Sequence, residues 1–269
     1  MHEWIALDGV KSTTIPGLAV LAYTPPLLSP RSREETVIAG RLTALTQRDW
    51  QREPADLEIT LALVGESMQA MLELWQTQAL PWLYDATRLE LDAMQGYFFR
   101  GAVTEVSIED QTDAWLRARA VFRCNPPLPL RLRSGQAGWT PEADTPIPQQ
   151  LTAQTATASG SFSAPGFLTI PGGVGGRESA ETYLAVTGTW TTLQLGASFS
   201  VLEKADTATT LFIDCENAQV WQLTEDGVEV NMMGVTTGDL PELRPGAASL
   251  QVGGQGLQVT VRVLIIERG

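Results

Sequence analysis

The chain has 269 residues, 18 Lys and Arg against 31 Asp and Glu, and a formal net charge of -13. That length suits two ordinary domains, each able to bury its own core. Such acidity excludes general binding to nucleic acid or anionic lipid, which needs clustered Lys and Arg to replace counterions. The single histidine, His2, excludes Ser-His-Asp triads, Cys-His pairs and His-based metal sites, so no metal or cofactor is expected.

The opening MHEWIALDGV has neither a basic region nor an apolar core suited to a secretory signal. No run approaches the roughly 20 apolar residues of a membrane span. A soluble protein made in the cytoplasm, with no membrane partner, is the expectation. Cys124 and Cys215 fall in predicted strands of different domains and are expected as buried free thiols.

In chain order, Trp4 to Leu7, Leu18 to Ala22 and Thr36 to Ala39 are short β-like runs broken by Asp8-Gly9, Pro16-Gly17 and Pro25, Pro26 and Pro30. Residues 41 to 56 lack a continuous apolar face and read as an extended arm that needs a neighbour to pack against. Ile38, Arg41, Leu45 and Trp50 are its candidate contact residues. Leu57, Ile59, Leu61 and Leu63 alternate with polar or small residues, which predicts a strand with one buried face. Gly65 stops it. Ser67 can cap a helix whose apolar residues Met68, Met71, Leu72, Trp75 and Ala79 share one face, and Pro81 is expected to end it.

Arg88 to Ala93, Tyr97 to Ile108 and Ala114 to Cys124 then predict a meander. In the last strand Leu116, Ala118, Ala120, Phe122 and Cys124 point inward. Trp115, Arg117, Arg119 and Arg123 share the other face, where the arginines suggest pairing with carboxylates across strands or subunits. Residues 134 to 161, rich in Pro, Thr, Ala, Ser and Gln, read as a linker between domains 1–133 and 162–269. Beyond it come short strands at 167–170, 183–186, 190–195 and 199–202. Leu257, Val259, Val261, Val263 and Ile265 then predict a closing strand in mid-sheet, with Gly172-Gly-Val-Gly-Gly176 and Gly253-Gly254 as flexible turns.

The most specific text runs from Leu211 to Val252. Leu211-Phe-Ile-Asp214 and Gln219-Val-Trp-Gln-Leu223 form a hairpin about Glu216-Asn217-Ala218, and Val228 to Asn231 returns after Asp226-Gly227. Gly238 to Gly246, with Pro241 and Pro245, is a fixed connection. An apolar run ending in Asp-Cys-Glu-Asn, then Val-Trp, Asn-Met-Met-Gly, Gly-Asp-Leu-Pro-Glu-Leu, Arg-Pro-Gly and a final β-run, resembles the C-terminal domain of siphophage distal tail (Dit) proteins. In the N-terminal half, Ile38-Ala-Gly-Arg41, Tyr97-Phe98-Phe99-Arg-Gly101 and the exit Phe122-Arg-Cys-Asn-Pro-Pro-Leu-Pro129 are similar to the same family.

The resemblance implies a mainly β protein: an N-terminal β-barrel or sandwich-like domain with one α-helix, then a galectin-like β-sandwich. It also implies a non-enzymatic homo-hexameric ring at the virion tail tip, joining the tail tube protein to the tail-tip or baseplate hub protein, with genome DNA passing through unbound. A carbohydrate-binding module or adhesin on the same sandwich is the alternative, with Trp190 and Trp221 as stacking candidates. The galectin His-x-Asn-x-Arg strand has no counterpart here. Asp214 with Glu216 is the only acidic pair that suggests a glycosidase. A bore crossed by DNA should repel phosphates. Charge is 13 minus 17, or minus 4, for residues 1–133 and 5 minus 14, or minus 9, for 134–269. The expectation is therefore local: Glu90, Asp92, Glu109, Asp110 and Asp113, within the 85–113 meander that also holds Asp85 and Glu105, contribute to a negative wall.

Overall fold

The strand expected over 57–64 is the spine of the first of two units. In the computed structural model, which describes residues 3–24, 31–32, 35–36, 45–46, 51–142, 145–224 and 227–269, it spans Ala55–Val64 and buries all four alternating aliphatic side chains. Full burial of each contributes about 1.5–3 kcal/mol. Trp115–Cys124 pairs with it over its whole length, and Leu18–Thr24 flanks it on the other side. The sheet continues from Trp115–Cys124 through Phe99–Gln111, Arg88–Leu91 and Ile5–Leu7 to Val10–Lys11, antiparallel throughout.

One core joins both halves of this sheet. Ile5, Leu7, Leu89 and Phe99 pack in the same buried cluster as Leu61, Leu116 and Phe122. The Tyr23 hydroxyl, on the edge strand, donates to Asp92 beyond Arg88–Leu91, and Asp92 also accepts from the Glu3 N–H at 2.6 Å. Burial pushes the Tyr23 phenol up to about 12, and the Asp92 hydrogen bond adds to the rise. The sheet thus curls towards closure, which is the barrel-like character expected of this unit.

The helix opens as expected, with the Ser67 hydroxyl accepting from the Ala70 N–H at 3.2 Å. It does not end before Pro81. Met68–Leu74 is α-helical, Trp75–Ala79 forms a π-turn, and Leu80–Tyr84 resumes the helix. The Leu80 N–H reaches back five residues to the Trp75 carbonyl, a wider loop that accommodates a ring with no N–H to donate. The buried stripe also differs: Met68 is 40% exposed, while Met71, Trp75, Ala79 and Leu83 are buried at strict intervals of four. Four residues overshoot one turn of an α-helix, and the wider π-turn takes up the drift.

The arm reading changes as well. Leu45–Thr46 pairs with Glu35–Thr36, and Gln51–Arg52 with Arg31–Ser32. These pairs follow Thr24 opposite Glu58 in the same order and nearly the same register, so the described residues belong to one long hairpin. Beyond the sheet body it is only two strands wide among the described residues. Ile38, Arg41 and Trp50 lie outside the described residues, as does the structure of Glu225-Asp226. Leu45 is placed by its backbone pairing to Thr36.

The chain divides into compact units Met1–Leu130 and Arg131–Gly269. The second is a sandwich of two antiparallel sheets. One runs Gln258–Arg268, Glu178–Trp190, Ala205–Asp214, Gln219–Leu223, Glu229–Asn231, with Ala158–Phe162 also paired to Gln258–Arg268. The other runs Gly166–Thr169, Ser249–Gln255, Thr192–Leu195, Phe199–Val201, Thr236–Thr237. A single cluster, including Val186, Trp190, Phe199, Ile213 and Val261, fills the space between them. The closing strand is central, as its alternation predicted.

Residues 134–161 are not a free linker but part of the second unit. Gly135 N–H donates to the Thr155 and Ala156 carbonyls, Thr157 N–H to the Val263 carbonyl, and Leu151, Thr155 and Ala156 are buried. The 3-10 turn Ile147–Gln150 packs across Glu178–Trp190 and Ala205–Asp214. Small and hydroxylated residues lie flat on a sheet, so low apolar content hid this packing. Gly253-Gly254 is likewise no flexible turn. Both lie inside Ser249–Gln255, where a Cβ on Gly254 (φ 127°) would stand 2.0 Å from the Thr192 carbonyl oxygen.

Candidate functional site

The charged face expected on Trp115–Cys124 is present, and its pairing runs across strands. Arg119 bonds Glu58 on the neighbouring Ala55–Val64 strand and stands 3.9 Å from Glu105 on Phe99–Gln111. Arg117 pairs with Glu109 at 3.0 Å. The hydrogen bond from Arg119 holds the Glu58 carboxyl below its ordinary value, and Glu58 raises the Arg119 guanidinium in turn. Arg123 stands opposite Asp56 in the register. These groups are solvent-exposed, so each pair contributes little to stability, on the order of 0–1 kcal/mol. What they provide is an ordered row of alternating sign on one sheet face.

The five acids assigned to a negative wall fall into two groups. Glu109, Asp110 and Asp113 gather at the exposed tip of the long hairpin formed by Phe99–Gln111 and Trp115–Cys124. Glu109 shares its charge with Arg117, and Asp110 accepts from the Gln111 N–H at 2.8 Å. Glu90 and Asp92 lie elsewhere, along Arg88–Leu91 and just after it. Glu90 pairs with Arg88 at 3.0 Å, and Asp92 holds Tyr23 and the Glu3 N–H. Arg88 in turn sits 4.2 Å over the Phe98 ring, and burial lowers its guanidinium from the ordinary value.

In the second unit the catalytic alternatives dissolve into structure. Asp214 accepts from both the Asn217 N–H (2.9 Å) and its side-chain amide (2.8 Å), fixing the turn in which Ala218 adopts φ 51°. Glu216 pairs with Arg268 at 2.6 Å. Each carboxylate is thus held by its own partner. Trp190 is buried and its indole donates to the Glu203 carbonyl at 2.9 Å. Trp221 is 7% exposed and packs 5.9 Å from the Phe212 ring, so it shows only a sliver of its indole, to the cleft it lines with Glu229 and Asn231. Among the described residues, no cluster of His, Cys, Asp and Glu is placed to hold a metal.

The sequence reading missed Arg133 and Glu267. They pair at 2.8 Å, Arg133 also bonds the Pro171 and Gly173 carbonyls, and the Gly175 N–H donates to Glu267 at 2.7 Å. The glycine run 172–176 is therefore pinned, with Val174 in the core, rather than flexible. Glu58, the cross-strand partner of Arg119, was also missed. Its signal was available: Glu58 lies on the polar face of a strand already identified by its alternation.

No protein-family model matches the sequence, and no curated protein does. Solved structures do. The crystal structure of SPP1 Dit (gp 19.1), described as a paradigm of the hub adsorption apparatus in Gram-positive infecting phages, matches with a TM-score of 0.60 at 12% identity, covering 99% of this chain and 98% of that one. A chain of the phage p2 baseplate in its activated conformation with Sr matches with a TM-score of 0.50 at 9% identity, covering 99% and 97%. From end to end, the chain has the fold of a phage Dit hub protein.

Proposed function

We propose that this chain is a structural subunit of a phage tail tip: a distal tail protein that assembles into a homo-hexameric ring between the tail tube and the tail-tip or baseplate hub. The observation that carries this reading is the fold match to SPP1 Dit over 99% of the chain. Both units and their order fit one hub subunit, where a sugar-binding module would need only the second. The structural roles of Asp214 in its turn and of Glu216 with Arg268 fit a non-enzymatic reading.

In this reading the first unit builds the ring and the second projects from it. The hairpin whose described strands are Arg31–Ser32, Glu35–Thr36, Leu45–Thr46 and Gln51–Arg52 is the natural contact with a neighbouring subunit, because a two-stranded ribbon is marginally stable alone in water. Head-to-tail contacts in a closed ring satisfy every such ribbon. Ile38, Arg41, Leu45 and Trp50 are its candidate contact residues, and the hairpin tip bearing Glu109, Asp110 and Asp113 is the candidate acidic wall facing passing DNA, with Glu90 and Asp92 as a second, separate acidic group at the other end of that hairpin. The site of action is the virion tail tip.

Deletion of residues 31–52 with a short Gly-Ser closure tests the arm. Light scattering is expected to show six chain masses for the intact protein and one for the deletion, with the core unfolding transition of the first unit retained. A deletion variant that still forms hexamers overturns the assignment of the arm. Monomer alone for the intact protein at high micromolar concentration, with and without tail-tip partner, overturns the ring.

A further inference from the structure

Glu229–Asn231 is the outermost strand of its sheet. Alternate residues make its ladder to Gln219–Leu223: the Val228 carbonyl accepts from the Thr224 N–H at 2.9 Å, Val230 stands opposite Gln222, and the Met232 N–H donates to the Val220 carbonyl at 2.8 Å. The backbone groups of Glu229 and Asn231 therefore face away from the sheet. Among the described residues, no further strand takes them. Natural sheet edges are blunted by shortness, charge, Pro or a bulge; this strand is three residues long and carries Glu229, but it has no Lys, Pro or bulge.

Both faces of the edge are prepared for cover. On one, Val228 and Val230 are 59% and 43% exposed. On the other, Glu229 and Asn231 border a cleft of about 320 Å³ walled by Trp221, Gln219 and Ala218. A strand added here would place alternate side chains on the two faces, one row over the valines and the other over the cleft. Charge selects the second row. Residues 205–243 contain eight carboxylates and no Lys or Arg, so a cation beside Glu229 meets no repulsion from this stretch.

We propose that this edge docks an extended segment of a partner protein, in which apolar residues alternate with Lys or Arg, as one more strand of the sheet. The site lies wholly within the second unit and rests on no feature of the ring.

The probe is an acetylated, amidated seven-residue peptide of alternating Val and Lys, titrated into the full chain by calorimetry and followed by amide exchange. The expected result is saturable binding with slowed exchange confined to residues around 228–233. A peptide N-methylated along its bonding edge is expected to bind about tenfold more weakly or not at all, because main-chain bonds supply much of such affinity, and a Val-Glu peptide should not bind. Asn231→Pro removes an outward N–H without removing a ladder donor, and Val230→Lys charges the apolar face. Each should abolish binding, with the unfolding midpoint unchanged in Val230→Lys and lowered only slightly in Asn231→Pro, which also removes the Oδ1 that accepts from the Met233 N–H at 2.9 Å. Equal binding of the N-methylated peptide, retention in both variants, protection elsewhere, or no binding at millimolar peptide would each overturn the proposal. Ring formation, scored separately by electron microscopy, stands or falls on its own.

Discussion

The two units face the same problem, what to do with the second side of a sheet, and resolve it differently. In the first, Trp115–Cys124 buries Leu116, Ala118, Ala120, Phe122 and Cys124 and leaves its other face to Arg117, Arg119 and Arg123, paired with carboxylates in solvent. In the second, Glu178–Trp190 is buried through the unbroken run 180–186, and the turn Ile147–Gln150 packs against it. One sheet keeps a polar face free for contacts, and the other spends both faces on stability. Assembly surfaces are therefore to be sought on the first unit's charged face and hairpins and on the second unit's edges.

The largest test of this contrast is Phe122→Ala. Removing a fully buried ring should cost about 3–5 kcal/mol, read as a shift of the first unit's urea transition with the second unit's transition in place. Equal shifts in both would mean that the units do not unfold separately. Leu151→Ala tests the cover on the second unit. Its buried side chain should be worth about 2 kcal/mol, and the loss should fall on the second transition alone. An effect within about 0.5 kcal/mol would return residues 134–161 to the status of a loose connection.

The thiols, Cys124 buried and Cys215 half-buried, should sharpen the comparison through pH. Burial pushes both Cys124 and Cys215 from an ordinary 9.0 up to about 12. The folded chain holds protons that the unfolded chain releases, so this contribution is complete below about pH 9 and lost as pH climbs towards 12. A Cys124→Ala, Cys215→Ala chain should show a shallower decline of unfolding free energy between pH 8 and 11 than the parent. Identical slopes would contradict the assigned burial. Arg117→Ala should have the smallest effect, under about 1 kcal/mol, since its pair with Glu109 is exposed. A loss well above that in the monomer would mean the charged face is already part of a core.

Much of the fold was legible because period and burial agree. Alternation at Leu57–Leu63, Leu116–Cys124 and Leu257–Ile265 marked one-sided or central strands, and the Dit-like text from Leu211 to Val252 placed the sandwich. Pro81 misled because the π-turn that admits it has no local signature. The linker misled because Thr155 and Ala156 pack by shape rather than by large apolar area. The partner of the arm was not legible because Arg31–Ser32, Glu35–Thr36, Leu45–Thr46 and Gln51–Arg52 are too short to carry alternation, and only their pairing reveals the hairpin.

Within the candidate site, the arginine row was legible but not its partners. Glu105 and Glu109 reach Arg119 and Arg117 on a strand whose register shifts between Val103 and Glu105 and again between Ile108 and Asp110. Each shift breaks the two-residue period from which side-chain direction is counted. Asp92 was assigned by charge alone, whereas its geometry also makes it the latch for Tyr23.

The central claim is that this chain closes into a ring. Negative-stain electron microscopy of the purified full chain at tens of micromolar, with class averages of end-on particles, tests it directly. Six-fold rings with an open bore, and six peripheral lobes for the second units, are the predicted result. A field of monomers, or closed particles without a bore, contradicts the account.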